Sequence, residues 1–281
     1  MSEEIIVKKH SGEKELFSRE KLNHSLKRSG ASQEVIERVY EQLKGQMYDG
    51  ITTSQIYKRA FQILRKLKRS TAARYSLRKA IMEMGPSGYP FERLVGAVIG
   101  TLGYETLVSQ IVQGQCVSHE LDVVARNKQE LFMVECKFYN SQGKHCNVQV
   151  PLYIHSRFND VKKTWEKNPS NNGLRFSGWV VTNTRFTEDA IDYGKCAGLT
   201  LIGWDYPQER SLRDLIEGSG LFPITVLTTL TRKQKDILLD NEVVLCQQLL
   251  EKPVAFGKLG LDLKKQQKVL DEARDLVEKK F

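Results

Sequence analysis

The sequence is poor in the features that mark several classes of protein. Of its 281 residues only five are cysteines (Cys116, Cys136, Cys146, Cys196, Cys246), an odd and widely spaced set with no C-x-x-C pair. That argues against a disulfide framework or a structural zinc site and predicts reduced thiols. No apolar run approaches the ~18 residues that span a bilayer, and the opening MSEEIIVKKH lacks the apolar stretch of a secretory signal. The expectation is a cytoplasmic protein with no membrane partner. Proline is scarce at 7 residues and glycine amounts to 20, while 40% of residues are hydrophobic and 27% charged. Such a chain can bury a core along most of its length, which excludes wholesale disorder.

What is present is size and an uneven charge. A chain of 281 residues allows two or three compact units. Lys plus Arg against Asp plus Glu number 18 against 10 over residues 1–85, 13 against 13 over 86–210 and 12 against 11 over 211–281. Nearly all of the net +9 therefore sits in the first segment. A basic patch there attracts a polyanion, either nucleic acid or the phosphates of a nucleotide, although many of these lysines simply solvate helix faces.

The patterning predicts an α+β / α/β multidomain chain. Residues 5–9 and 14–17 flank a Ser11-Gly12 turn and read as a hairpin, followed from Ser18 by helical stretches near 33–48, 53–68 and 70–83, with Thr52 or Thr53 and Ser70 as caps. This is a β-hairpin plus four helices over residues 1–85. Gly85-Pro86-Ser87-Gly88 is the clearest punctuation and coincides with the change in charge. Over 86–208 the expected order is helix (90–102), strands near 106–113, 119–126 and 131–138, a helix from Pro151, a strand over 177–183, a helix over 187–197 and a strand over 199–204: an α/β core. Residues 209–281 read as a small helical domain, with stretches at 211–217, 231–239, 243–250 and 261–279.

The chemistry concentrates in the third strand of the core. In LFMVECKF, alternation puts Glu135 and Lys137 on one face and Val134, Cys136 and Phe138 on the other. If the preceding strand HELDVVAR pairs with it as a hairpin, Asp122 approaches Glu135. Two close carboxylates repel unless a cation lies between them. Mg²⁺ or Mn²⁺, hard ions that take oxygen ligands, would find Asp122, Glu135 and the Cys136 carbonyl there. Such an ion promotes phosphodiester hydrolysis, with Lys137 orienting water or stabilising the developing charge. Carboxylates on hairpins are commonplace, and the D-x12-E-x-K spacing alone does not single out a nuclease. The Cys136 thiol, on the apolar face, reads as packed rather than nucleophilic.

Five separate motifs, two of them those strands, lie in order along the segment: Phe91-Glu92, Leu102-Gly103-Tyr104, Leu121-Asp122-Val123-Val124, Val134-Glu135-Cys136-Lys137, and Val181-Thr182-Asn183 with Phe186-Thr187. In order and spacing, Phe91 to Trp204 resembles the Mrr-like branch of the PD-(D/E)xK restriction endonuclease superfamily. The resemblance implies Asp122 and Glu135 as metal ligands, Lys137 as the catalytic lysine, Glu92 as an accessory acid and Gln149 as a polar residue entering the site. Glu120 is a weaker candidate on the face of Asp122, and Tyr153, in Q-x-x-x-Y, is a DNA contact only if the helix continues through Pro151.

The N-terminal segment carries V-K-K-H-S-G (7–12), Glu15, Phe17, Ser18, Lys21-Leu22, D-G-I-T-T-S-Q-I-Y (49–57) and A-A-R-Y-S-L-R-K-A (72–80). Over residues 5–83 it resembles the ATP-cone, the nucleotide-sensing domain of ribonucleotide reductases and their repressor. The resemblance implies that Val7, Lys8, Lys9, Glu15, Lys21, Thr53 and Tyr57 contact ATP or dATP as a regulatory ligand. His10 stands where Arg is usual and Tyr57 where His is frequent, which leaves base preference and stoichiometry open. The P-loop pattern GxxxxGK[ST] is absent, in keeping with binding without hydrolysis. The alternative for this segment is a basic helical DNA-binding arm.

Near the C-terminus, Leu259-Gly260-Leu261 weakly resembles the turn of a helix-hairpin-helix unit, which offers backbone N–H groups to DNA phosphates; a helical cap or dimer contact fits as well. The combined expectation is a Mg²⁺-dependent DNA endonuclease, acting as a homo-oligomer, with a nucleotide-sensing domain. The rival is a nucleotide-responsive DNA-binding regulator whose nuclease fold is inactive, and RNA is a minor alternative substrate.

Overall fold

The computed structural model describes residues 5–9, 11–141 and 143–278. His10, residues 1–4 of the opening segment and Lys279 at the end of the last expected helix lie outside the described residues. Strands β1 (Ile6–Lys8) and β2 (Lys14–Leu16) form the expected antiparallel hairpin, with Val7 opposite Glu15. Helix α1 (Arg19–Arg28) is capped by the Ser18 side chain, which accepts from Lys21 N–H, and α2 (Gln33–Lys44) by Ser32. A strand that the sequence does not announce follows, β3 (Ile51–Thr52), parallel to β1 with Ile51 opposite Val7. Two residues are too few to display a period of two, so only the pairing reveals it. Thr52 and Gln55 then close a reciprocal capping box at the start of α3 (Thr53–Leu67).

The single helix expected over 70–83 is divided into α4 (Arg69–Tyr75) and α5 (Leu77–Met82). Ser76 lies between them at φ −93°, ψ 7°, and its hydroxyl donates to the Ala73 carbonyl. A serine that bonds its own preceding turn offers the backbone an alternative to helix continuation. Ser70, an expected cap, lies within α4 and is buried; the residue before that helix is Lys68.

Helix α6 (Tyr89–Gly100) leads into β4 (Glu105–Gln113), β5 (Ser118–Arg126) and β6 (Glu130–Lys137). After β7 (His145–Cys146) come α7 (Gln149–Trp165), β8 (Arg175–Thr182), β9 (Arg185–Phe186), α8 (Glu188–Cys196) and β10 (Thr200–Ile202). The main sheet has the order β10-β8-β6-β5-β4, antiparallel from β4 to β6 and parallel from β6 to β10. One face, carrying Val123, Phe132, Val134 and Val181, packs against Phe91, Val95 and Val98 of α6. The other, carrying Met133, Val180 and Leu201, packs against Ile154, Phe158 and Val161 of α7 and Ala190 of α8. Helix α6 approaches closely because Gly96 presents no side chain: a Cβ there would stand 2.9 Å from Val108 Cγ2. Pro151 does not break α7, since it lies in the first turn, where its missing N–H would have no helical partner.

The C-terminal residues form α9 (Leu212–Ser219), a 3-10 turn (Ile224–Val226), α10 (Arg232–Asp240), α11 (Cys246–Glu251) and α12 (Leu263–Val277). They do not make a core of their own. Ile224, Val226, Val269 and Leu276 share one buried cluster with Ala73, Leu77 and Ile81 of α4 and α5 and with α6. Arg74 also donates to the Leu276 carbonyl at 3.0 Å. No described helix is long and apolar enough to cross a membrane.

Buried Glu272 of α12 pins this arrangement. It accepts from the backbone N–H and hydroxyl of Thr228 (2.8 and 2.6 Å) and of Thr229 (2.9 and 2.7 Å). Glu272→Ala is expected to destabilise the protein by about 3 kcal/mol, because a buried charged acceptor is lost and its donors are orphaned. Urea unfolding followed by circular dichroism measures this, and an unchanged midpoint would contradict the role given to Glu272.

Candidate functional site

Strands β5 and β6 pair from Arg126↔Leu131 to Val123↔Val134, and there the ladder stops. The next N–H on β6 toward β5, that of Cys136, would be unpaired at a buried position, which a backbone donor rarely tolerates. The Asp122 side chain supplies the acceptor instead, its Oδ2 lying 2.6 Å from Cys136 N. On the other side of Asp122, β4 is irregular as well: Val108↔Val123 and Gln110↔Leu121 are paired, but Ser109 between them has φ 53°. A left-handed serine inside a strand is a strained conformation of the kind that collects at functional sites. Alternation is also disturbed, since Leu121 packs on the α7 face whereas Val123 packs on the α6 face.

Glu135, only 5% exposed, stands between two cations. Lys137 Nζ lies 2.7 Å from its Oε1, and Arg157 Nη1 of α7 lies 2.6 Å from its Oε2. Arg157 also donates through Nη2 to the Glu120 carbonyl, and its guanidinium lies 5.5 Å from the Tyr153 ring centroid. Downstream of Lys137 the strand end is braced by Thr182, whose hydroxyl donates to the Lys137 carbonyl at 2.7 Å, and by Asn183, which bonds both the N–H and the carbonyl of Tyr139. Glu92 on α6 accepts from Ser109 Oγ at 3.4 Å.

The carboxylates crowd one another. Burial, and next the charge of Glu135, push the Asp122 carboxyl up to about 7, with Glu92 adding to the rise and the Cys136 N–H and Lys137 opposing it. Glu92 is raised too, by burial first and by Glu120 and Glu135 after it, while the Ser109 hydroxyl pulls the other way. Burial opposes the charge on Lys137, yet its hydrogen bond to Glu135 and the surrounding carboxylates leave its pKa raised. A divalent cation would relieve this repulsion. Among the described residues no group of three or more His, Cys, Asp and Glu is placed to hold a metal. A cation at Asp122 and Glu135 would thus complete its shell with backbone oxygen and water, which suits Mg²⁺ or Mn²⁺ and does not suit zinc.

Asp122, Glu135 and Lys137 are therefore adjacent, and Glu92, bonded to Ser109, is near enough for its charge to raise the Asp122 carboxyl. Gln149 is exposed at the first position of α7, with no hydrogen bond or ion pair from its side chain to the cluster residues. The Cys136 thiol is buried with Val134 on the α6 face, and burial pushes it well above the ordinary thiol range. Arg157 and Ser109 are the participants that strand periodicity could not find. Arg157 arrives by tertiary packing, and its only trace in the sequence is the four-residue spacing from Tyr153 on one helix face.

In the N-terminal segment a cavity of about 870 Å³ is lined by Lys8, Lys9, Thr53 and Tyr57, together with Lys58 and Arg65. Lys9 and Lys21 both bind Glu15 Oε2, at 3.0 and 3.1 Å, and these two hydrogen bonds hold the Glu15 carboxyl below its usual range. Tyr57 stacks on Tyr75, ring centroids 5.0 Å apart. The Val7 side chain is buried in the hairpin core, and its backbone lies on the central strand of the small sheet, opposite Glu15 of β2 and Ile51 of β3.

The raised Asp122 carboxyl yields a sign for pH dependence. Its folded pKa of about 7 exceeds the unfolded value of 3.8, so its contribution is most favourable below pH 4 and is lost as pH rises through 7. Without divalent metal, the wild type should lose on the order of 2 kcal/mol between pH 5 and 8 that Asp122→Asn retains. Denaturant melts of both proteins at the two pH values in EDTA test this; parallel curves would dismiss the crowding.

Residues 5–83 match the ATP cone domain, and residues 222–277 match the domain described as AF1548-like, C-terminal. An uncharacterized protein of Archaeoglobus fulgidus is 35% identical over 176 residues, covering 62% of this chain and 95% of that protein. The crystal structure of AF1548, titled a protein of unknown function, is similar at 33% identity and TM-score 0.55, over 68% of this chain and 99% of that one. Can2 from Sulfobacillus thermosulfidooxidans, solved with cyclic tetra-adenylate, is similar at 14% identity and TM-score 0.31, over 74% of this chain and 64% of that one. The identity to the archaeal relative, sustained over almost its whole length, establishes that the chain belongs to the AF1548-like family, here with an ATP cone at its N-terminal end.

Proposed function

We propose that this protein is a cytoplasmic, divalent-metal-dependent DNA endonuclease with an Mrr-like PD-(D/E)xK centre, and that ATP or dATP in the cone adjusts its activity or assembly. The observation that carries this reading is the meeting of Asp122, Glu135 and Lys137 where β5 leaves β6, with Asp122 Oδ2 on Cys136 N at 2.6 Å and Lys137 on Glu135 at 2.7 Å. Asp122 and Glu135, with the Cys136 carbonyl, would hold the cation. When bound, that cation supplies Lewis acidity, drawing charge from a phosphoryl oxygen and acidifying a water. Lys137, held protonated by its neighbours, orients the attacking water and stabilises negative charge as it develops on phosphorus-bound oxygen. Glu92 adds negative charge beside Asp122, and Gln149 and Tyr153, exposed on the first two turns of α7, lie toward the DNA. Cutting both strands of a duplex calls for two such centres, and hence a symmetric homo-oligomer.

One observation favours a second reading. Glu135 is bonded to Arg157 as well as Lys137, so both of its oxygens are already engaged by cations. A nucleotide-responsive DNA-binding regulator with an inactive nuclease fold would look the same. Incubation with linear, nicked and methylated DNA in Mg²⁺ or Mn²⁺ separates the two, since DNA binding without cleavage under all conditions favours the regulator.

Asp122→Ala and Lys137→Ala should each lower cleavage by about 10²-fold or more while the fold is retained. Metal-dependent cleavage persisting in both purified variants would refute the site assignment. For the cone, light scattering at saturating ATP or dATP should report a change in mass. An unchanged mass with nucleotide bound removes regulation through assembly, because a ligand shifts an equilibrium only by its differential affinity for the two states.

A further inference from the structure

The 870 Å³ cavity is not enclosed by the cone alone. Its opposite wall is made by Thr225 to Thr228 and by Lys235 of α10, more than 140 residues beyond the cone in sequence. Lys8, Lys58 and Arg65 line the cone side with no ion pair among the described residues, while the lining carboxylate Glu83 is paired with Lys79, so the cavity carries an excess of positive charge. Lys235 adds to it from the other side. Its ammonium carries three donors, and one is spent on the Thr225 carbonyl at 2.6 Å. Burial lowers its pKa, against the pull of Glu83 and Glu272. Thr228 in this wall is bonded through both its N–H and its hydroxyl to Glu272, and the 3-10 turn Ile224–Val226 packs on α5. The volume falls within the roughly 300–1,000 Å³ of small-molecule sites.

We infer that the nucleoside triphosphate taken by the cone is bound between two walls, and that Lys235 of the C-terminal segment is a phosphate ligand, so that occupancy clamps residues 224–235 onto the cone. This rests on the nucleotide reading of the cone. It gives the cone a physical means of acting on the rest of the chain: a polyanion bonded to Lys8 and Lys235 at once favours the state in which the two walls are apposed. The same C-terminal wall belongs to the buried cluster that also contains α6, the helix bearing Glu92.

The test uses the full chain and ATP, with binding followed by calorimetry and the unliganded melting temperature as a check on folding. Lys8→Ala, on the cone wall, should weaken ATP, and Lys235→Met should weaken it about tenfold, with Lys235→Arg close to wild type. Wild-type affinity in Lys235→Met, with Lys8→Ala weakened, overturns the two-walled site and leaves the cone reading standing. Failure of the wild-type chain to bind ATP removes the cone reading and this inference with it. A second measurement needs no variant: ATP should slow amide exchange over residues 224–235 of the wild-type chain as well as over 52–57. Slowing confined to 52–57 overturns the clamp.

Discussion

A backbone N–H deprived of its strand partner, and the carboxylate that replaces that partner, set the chemistry of the central sheet. Where β5 leaves β6 the ladder ends at Val123↔Val134, and the Asp122 side chain takes over as acceptor for Cys136 N. An acidic side chain is thereby fixed beside a strand whose next outward residues are Glu135 and Lys137. The crowding that raises Asp122 arises at that point, beside the ion pairs that bracket Glu135 and level with the left-handed Ser109 of β4. A regular ladder would have satisfied Cys136 by backbone and left Asp122 free to turn to solvent.

The second constraint is the sharing of a core. Helices α4 and α5 complete the N-terminal unit, yet Ala73, Leu77 and Ile81 are buried against the C-terminal helices and α6. A segment that closes one unit while forming part of another's core cannot shift without disturbing both, because packed interiors deform little. The cavity beside Tyr57 and Lys8 is bounded on its far side by the segment that Glu272 braces. The cavity and helix α6 beside the central sheet are thus joined through one buried cluster.

The legibility of these features in the sequence varied with how local their physics is. Helix caps at Ser18 and Thr52 and the strands near Asp122 and Glu135 are written in periods and side-chain chemistry that a few neighbouring residues express. The opposition of Val134 and Cys136 to Glu135 and Lys137 is a matter of alternation alone, and the two strand faces divide that way. The break at Ser76 and the strand at Ile51–Thr52 were not legible, since each depends on a bond to one particular partner rather than on a repeating pattern. Arg157 was invisible for a related reason: nothing near position 157 says that its guanidinium will reach a strand 22 residues earlier.

By itself the sequence determined the order of the main-sheet strands and of the helices beside them, the residues able to carry charge at the end of β6, and the basic character of the N-terminal segment, because period, capping and net charge are properties of short stretches. Tertiary structure alone decided which of those charges meet: that Asp122 bonds Cys136 N, that Arg157 joins Lys137 on Glu135, and that Lys235 faces Lys8 across one cavity. Such meetings depend on where a ladder ends and how helices pack over long separations in the chain, and no local pattern encodes either.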